Sequence, residues 1–391
     1  MTSNKISPWP VYEQDEIDAV SAVLSSSKVN YWTGENGREF EREFSNHCES
    51  QYAIALANGT LALELALETA GIGPGDDVIV TPRTFIASIS CVVRRGGRPV
   101  FADVSLDSQN ITPESVEAAM TPNSRAIIAV HHAGWPCDME GLMGLADKHG
   151  LLVVEDCAQA HGAQYKGRPV GGLGHVAAFS FCQDKIMTTG GEGGMLVTND
   201  EEFFKRAWAI KDHGKSYDAV FNREHSPGFR WLHESFGTNM RMTEMQAAIG
   251  RVQLTKLKQW NEQRNANANR LAETLGRYRS VRVPVPARDI THAYYRLYAF
   301  IVPEYLAEDW SRDRIMREVN HAGIPCFSGS CAEIYNEKAF DQDELRPEVP
   351  LMNAQLLGPT SLAFLVHPTL TPSDIDRTCD ALDDVLAKAT K

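Results

Sequence analysis

The chain has no Cys-x-x-Cys pair, no block of lysine or arginine, and no apolar run long enough to span a bilayer. Each absence removes a class of function. The eight cysteines, Cys48, Cys91, Cys137, Cys157, Cys182, Cys326, Cys331 and Cys379, lack the spacing of a metal-ligand cluster. Their scatter suits free thiols in a reducing compartment. A formal charge of −13 sets aside nucleic acid and an anionic membrane as main partners. It leaves room for a phosphorylated small molecule, which needs only a local cation or a helix N-terminus. The opening MTSNKISPWP lacks the apolar core of a signal peptide, so a cytoplasmic protein is expected. No internal repeat or low-complexity tract is present.

What the chain does have is length and alternation. Its 391 residues suffice for a large core and two domains. From about residue 55 to 200, short β-rich runs alternate with helical patterns. Val78 to Thr81, Pro99 to Asp103, Ala126 to Val130, Leu151 to Val154, Ala177 to Phe181 and Met195 to Val197 read as buried strands. Glu114 to Met120 and Asp138 to His149 read as helices between the earlier ones. Such a pattern implies a mainly parallel sheet covered on both faces. The later strands follow without room for a helix each, so part of the sheet is expected to be antiparallel. Phe40, Phe44 and Cys48 recur every four residues, as on one helix face. After the core, Met242 to about Leu275 reads as one long helix leading to strands at Val281 to Val283 and Leu297 to Val302, and helices at Arg312 to His321 and Ser373 to Ala389. The expected division is a large domain over 1–255, with its N-terminal helical segment, and a small one over 256–391.

Within that frame one lysine stands out. Lys185 follows the run Phe179-Ser180-Phe181 and precedes Ile186-Met187-Thr188-Thr189, then the glycine-rich Gly190 to Gly194. Twenty-nine residues earlier, Glu155-Asp156 closes the apolar run that starts at Leu151. A lysine after one strand and a carboxylate at the end of another suggest a pyridoxal phosphate site, where lysine forms a Schiff base and an acid holds the pyridinium nitrogen. Asp156 falls where open α/β sheets put their ligands; it also suits a simple cap of the next segment. Gln159 reaches the same ligand if the chain turns helical, and its amide suits a phenolic oxygen. Asn58-Gly59-Thr60 precedes the helical run Leu61 to Ala70. Gly59 lets backbone approach a ligand, and Thr60 adds a hydroxyl to the amides of a helix start; a plain N-cap remains open. Ser180 is a phosphate donor candidate. Phe85 follows a strand and stacks on a planar ring or fills core. The Gly190 to Gly194 stretch lacks both the Gly-x-Gly-x-x-Gly spacing and a Walker lysine, so it is no nucleotide loop. Cys157 and Cys182, near the proposed site, read as packing residues rather than catalytic thiols.

Taken in order, these segments resemble the DegT/DnrJ/EryC1/StrS family of sugar aminotransferases over nearly the whole chain. The resemblance runs through Asn58-Gly59-Thr60-Leu61-Ala62-Leu63, Thr84-Phe85, and Pro99 to Val104. It continues through Glu155-Asp156-Cys157-Ala158-Gln159-Ala160-His161-Gly162-Ala163, then Phe179-Ser180-Phe181 with Lys185-x-x-Thr188-Thr189-Gly190, and ends in Asn239 to Ala248. It implies the α/β fold of aspartate aminotransferase, fold type I: a large, mainly parallel mixed sheet sandwiched by helices plus a smaller C-terminal α+β domain. It implies a homodimer with two shared sites and no metal. By position, Lys185 carries the pyridoxal phosphate, Asp156 pairs with its ring nitrogen and Gln159 with its phenolic oxygen. Gly59, Thr60 and Ser180 hold the phosphate, Phe85 stacks on the ring, and Asn239 reaches the phosphate in the neighbouring subunit. The implied reaction is ping-pong. L-Glutamate donates its amino group and leaves pyridoxamine phosphate, which aminates a keto sugar, usually nucleotide-linked.

Two stretches depart from the family pattern. Many members carry a His-Tyr pair after the Gly-Ile of the small domain, where this chain has Gly323-Ile324-Pro325-Cys326-Phe327-Ser328-Gly329-Ser330-Cys331. Cys182-Gln183-Asp184 before the lysine is also not the commonest spelling. The sugar, its nucleotide and the position aminated therefore stay open. Rival readings are a sugar dehydratase on the same fold, a cyclitol aminotransferase or aminobenzoate-type synthase, and a non-catalytic regulatory or binding protein. Dehydratases of this type replace the lysine with histidine, which Lys185 argues against.

Overall fold

A seven-stranded mixed sheet forms the centre of the protein, which is described here from a computed structural model covering residues 6–341 and 345–391. Its strands are β1 (Tyr52–Leu56), β2 (Asp77–Val80), β3 (Arg98–Phe101), β4 (Ser124–Val130), β5 (Leu152–Asp156), β6 (Val176–Ser180) and β7 (Gly194–Thr198). They lie in the order β1-β7-β6-β5-β4-β2-β3. Strands β3, β2, β4, β5 and β6 are mutually parallel, and β7 is antiparallel to both β6 and β1. Two reversals restore direction, so β1 ends at the same edge as β6. The lack of a helix between β6 and β7 is what makes them antiparallel: a tight loop joins antiparallel neighbours, while a parallel pair needs a crossover. Near-zero exposure along β2, β4, β5 and β6 explains their unbroken apolar runs, since both faces are covered.

The covering helices include α1 (Gln14–Ser26), α2 (Asn36–His47), α3 (Gly59–Thr69), α4 (Ala87–Arg94), α5 (Pro113–Ala119), α6 (Met139–His149) and α7 (Glu201–Lys211). The four-residue spacing of Phe40, Phe44 and Cys48 does place all three in the core, with Cys48 as the residue that ends α2. Phe44 meets Phe179 and Phe181 edge-on, at 4.8 and 5.4 Å between centroids, so α2 packs on the back of the strand that leads to Lys185.

A 32-residue helix, α8 (Glu244–Leu275), starts from a capping box in which Thr243 and Gln246 exchange hydrogen bonds. It runs without a break past residue 255, the expected domain boundary, and connects the two sheets. The smaller sheet is antiparallel, in the order β8 (Val281–Arg282), β9 (Leu297–Ile301), β11 (Ser361–Phe364), β10 (Cys326–Phe327). Helices α9 (Arg312–His321) and α10 (Pro372–Ala389) pack on it, and the C-terminal end of α8 closes a separate apolar core there. Among the described residues no helix is long and apolar enough to cross a membrane.

Candidate active site

The strand ends of the large sheet fix the site. Leu56, Gly194 and Ser180 face one another across β1, β7 and β6. Val130, Asp156 and Ala178 do so across β4, β5 and β6. The chain therefore delivers Asn58-Gly59-Thr60, Asp156 and Ser180 to one edge, the carboxyl edge where open α/β sheets hold ligands. A cavity of about 1170 Å³ opens there, lined by Gly59, Thr60, Phe85, Asp156, Gln159, Ser180 and Lys185. Seven of the eight residues expected at the site thus converge from four separate segments.

At the start of α3, Asn58 caps the helix by accepting the Leu61 amide on Oδ1 at 2.9 Å. Cap and anion site are compatible, because that bond leaves the Gly59 and Thr60 amides without an intrahelical acceptor. Gly59 is required by contact. A Cβ built on it would lie 2.6 Å from Ser180 Cβ and 2.9 Å from Ser180 Cα. The absent side chain makes a cradle between a helix N-terminus and a serine hydroxyl, which fits the three acceptor oxygens and the charge of a phosphate. A Gly59→Ala variant should push α3 off β6, cost about 1–3 kcal/mol and weaken phosphate retention. Thermal unfolding with and without pyridoxal phosphate checks this; equal midpoints and equal retention would remove the cradle from the site.

Adjacent acids at 155 and 156 serve different sides of β5, since successive strand residues point to opposite faces. Glu155 faces inward. It accepts from His131 Nε2 at 3.0 Å and from the amides of Gly171, Leu173 and Gly174 at 2.7 to 3.0 Å. Burial alone would raise its carboxyl; the His131 contact and the backbone amides outweigh it and hold it below the usual range. With Cys157 these residues form a buried His131-Glu155-Cys157 trio. Its oxygens are already committed to backbone amides, and His131 Nδ1 accepts from Cys137 N, which marks a folding brace.

Asp156 faces the cavity. Its Oδ2 accepts from Ser88 Oγ at 2.7 Å and its Oδ1 from the Ala158 amide at 3.1 Å. Ser88 in turn meets Thr84 Oγ1 at 2.8 Å. Ser88 was not singled out from sequence. Its hydroxyl lies in the first turn of α4, and Thr84 sits in the bend just before that helix. Gln159 Oε1 accepts from the Ala133 amide at 2.7 Å, which directs its NH₂ elsewhere and leaves a donor for an oxygen in the cavity. Phe85 is 68% exposed, so it is a cavity wall and not core.

Lys185 is held by its backbone. Its N–H donates to Cys182 O at 3.0 Å, and its carbonyl accepts from Trp9 Nε1 at 2.9 Å. The following turn is clamped to α8, where Gln253 Oε1 accepts from Thr188 N at 2.9 Å and Gln246 donates to Glu192 O at 2.8 Å. Gly190 and Gly191 take φ of 87° and 128°, conformations that explain the glycines there. The Lys185 ammonium lies 5.1 Å from the Tyr295 ring centroid and 3.8 Å from Asp184 Oδ1. Tyr295 donates its hydroxyl to Asp184 Oδ2. Beneath the loop, His161 packs against Phe179 and Phe181. Burial, then the charge of Lys185, pushes it down to about 3, so it is a neutral ring at any working pH.

Asn239 stands apart. It is exposed and does not line the cavity of its own chain, although Ala57 N donates to Met240 O at 2.9 Å and so keeps it beside the end of β1. The segment that departs from the family pattern does reach the cavity, through Phe327, Gly329, Ser330 and Cys331. Gly329, at φ 88°, admits the Tyr298 ring, and Tyr298 OH accepts from Ser330 N at 2.8 Å. The small domain thus supplies the wall opposite Asp156.

The architecture and the site agree with what the chain is similar to. It matches the DegT/DnrJ/EryC1/StrS aminotransferase family over residues 10–383. It is 35% identical over 364 residues to the dTDP-3-amino-3,4,6-trideoxy-alpha-D-glucose transaminase of Streptomyces venezuelae, covering 93% of this chain and 90% of that one. It is 36% identical over 386 residues to the GDP-perosamine synthase of Caulobacter vibrioides, covering 96% and 97%. An aminotransferase structure from Psychrobacter cryohalolentis superposes with a TM-score of 0.96 at 58% identity, covering 98% of this chain and 99% of that one. On this whole-length match the chain belongs to the DegT/DnrJ/EryC1/StrS aminotransferase family, and is an aminotransferase of fold type I.

Proposed function

We propose that the protein moves an amino group from L-glutamate to a keto sugar carried on a nucleotide, using pyridoxal phosphate in a homodimer with shared sites, in the cytoplasm. The observation that carries this reading is the meeting of the Gly59–Ser180 cradle, Asp156, Gln159 and Lys185 in one cavity. Pyridoxal phosphate, when bound, supplies the electron sink for the pair left at the donor's α-carbon. The residues fit the group: Gly59, Thr60 and Ser180 hold the phosphate, Asp156 takes the ring nitrogen, Gln159 the phenolic oxygen and Phe85 a ring face. Lys185 Nζ takes up the donor's α-proton as general base and returns a proton on the acceptor side. L-Glutamate leaves as 2-oxoglutarate, and the acceptor's carbonyl becomes an amine.

A cavity of about 1170 Å³ is larger than the usual single-ligand pocket of about 300–1,000 Å³. It leaves room for a bulky acceptor beside the cofactor. The two curated relatives described above are named for amino sugars on dTDP and GDP, which supports a nucleotide sugar here. Phe229, Trp231 and Phe236, 79 to 100% exposed in the segment before Asn239, favour a second subunit covering them. All eight cysteines are free thiols, as a reducing compartment keeps them.

The test is an absorbance titration of the pyridoxal phosphate-loaded protein with L-glutamate and no sugar. Conversion of the yellow band supports the first half-reaction; a persistent band overturns the donor. Asn239→Ala should raise the dissociation constant for pyridoxal phosphate by about tenfold, the loss expected of one hydrogen bond to a charged group, while the apo protein melts unchanged. Equilibrium dialysis checks it, and unaltered retention would take Asn239 out of the neighbouring site.

A further inference from the structure

The segment that carries Asn239 is pinned on two sides. On one side it runs along the end of α7. There Thr238 N donates to Ile210 O at 2.8 Å, His213 N to Thr238 O at 3.0 Å and Met240 N to Lys211 O at 3.1 Å. On the other side Ala57 N donates to Met240 O at 2.9 Å, just ahead of the Asn58-Gly59 cradle. Met240 is buried by this arrangement, while Asn239 stays exposed. The Asn239 Oδ1 accepts from its neighbour Arg241 N at 3.2 Å. That bond commits the oxygen to its own chain. Among the described residues the amide NH₂ donates to nothing, and its two N–H groups suit the acceptor oxygens of a phosphate.

Beneath the segment lies a knot of buried charge. Asp212, fully buried, accepts from Arg241 Nη1 at 2.8 Å and from Lys215 Nζ at 3.2 Å on the same oxygen. Its other oxygen lies 3.8 Å from Lys211 Nζ. Lys211 is itself fully buried, has no hydrogen-bond partner on Nζ, and is boxed by the Tyr31 and Trp208 rings at 4.0 and 4.7 Å. Burial pushes it down to about 8, against the pull of Glu41 and Asp212. One carboxylate therefore gathers three cations, from the end of α7, from the turn after it and from the Asn239 segment. Buried ion groups add little net stability over apolar packing, and their attested use is to select one arrangement. The backbone beside Asp212 fits that use. His213 is held at φ 59°, a left-handed conformation that costs a residue with a side chain about 1–3 kcal/mol and persists only where its surroundings impose it.

We propose that Asp212 is a positioning residue, which grips Arg241 and so aims the Asn239 amide at the cofactor phosphate of the neighbouring subunit. This rests on the role given to Asn239 above and names the group that orients it. Asp212 touches no ligand. It acts through Arg241, whose backbone N–H fixes the Asn239 oxygen and whose guanidinium fixes the segment on α7.

The experiment measures the dissociation constant for pyridoxal phosphate by equilibrium dialysis of the full-length protein. It compares wild type, Asp212→Asn, Arg241→Met and Asn239→Ala, and then Asp212→Asn and Arg241→Met each combined with Asn239→Ala. Asp212→Asn keeps the shape and removes the charge. Arg241→Met leaves Asp212 its two lysines, so it reports even where Asp212→Asn does not fold. Each of the two should raise the constant about fivefold when Asn239 is present and leave it unchanged when Asn239 is already alanine, as for residues coupled in one network. A merely structural role would instead weaken binding by the same factor in both backgrounds, and that result would overturn the inference. So would unchanged retention in both single variants alongside a loss in Asn239→Ala. Equal retention by wild type and Asn239→Ala would remove the role of Asn239 itself, and the inference with it.

Discussion

A Lys185→Ala variant should lose transamination by at least about a thousandfold, the upper range for removing a positioned general base, while folding normally. The folding half of that expectation comes from how the residue is held. Its structural bonds are made by backbone: the N–H to Cys182 and the carbonyl from Trp9. Alanine keeps both. The side chain has only a loose approach to the half-exposed Asp184, at 3.8 Å, and a contact with Tyr295. A contact that long, with one partner open to water, is worth about 0–1 kcal/mol. Stability and turnover should therefore separate cleanly. The check is single-turnover absorbance with L-glutamate, beside a thermal melt. Turnover near the wild-type rate would sink the assignment of Lys185 as the proton carrier.

Asp156→Asn should fold and bind the cofactor, yet turn over about a hundredfold more slowly, in the range seen when one preorganised charge contact to a reacting centre is removed. The fold survives because the Thr84–Ser88–Asp156 chain is reversible. Asn presents an oxygen to the Ala158 amide and an NH₂ to Ser88. The Ser88 hydroxyl then turns to donate to Thr84, and either atom of that pair can be the donor. What asparagine lacks is the negative charge that favours a protonated ring nitrogen. An Asp156→Ala variant should do worse on stability, since the Ala158 amide then loses its acceptor and Ser88 one of its two partners. Steady-state kinetics with melting curves tests both, and an Asn variant with wild-type turnover would show that another group holds the ring nitrogen.

Much of the fold was legible because its strands are short apolar runs and its helices carry their own start signals. Arg312 to His321 begins after the Ser311 cap, and α10 begins at a Thr371–Asp374 box with proline at its first position. Strand β1 is harder to read. Tyr52–Leu56 is missing from the strands expected above, and its pairing with β7 is what places it in the sheet. The division of the chain at residue 255 shows the same limit. Helical periodicity carries no mark of which core a turn faces, so α8 reads as one uninterrupted segment.

The site divides in the same way. Residues with rare local requirements announced themselves: a glycine before a helix start, a carboxylate at a strand end, a lysine between aromatic and glycine-rich stretches. Gly59 was readable as a close approach, but what it approaches, Ser180, is a fact of sheet order. Ser88 gave little sign, because it sits in no unusual local pattern. Ser88 matters only where α4 brings it to Asp156.

Sequence alone was enough to name the chemistry, the family resemblance and the edge of the sheet where the ligand belongs, since these follow from residue type, order and local periodicity. Tertiary structure decided which of two neighbouring acids faces the cavity and why the helix start at Gly59 is open. The physical reason is that a hydrogen bond or an ion pair depends on distance through space. The segments that meet here run from Asn58 to Ala363, and their meeting is set by strand order and domain packing.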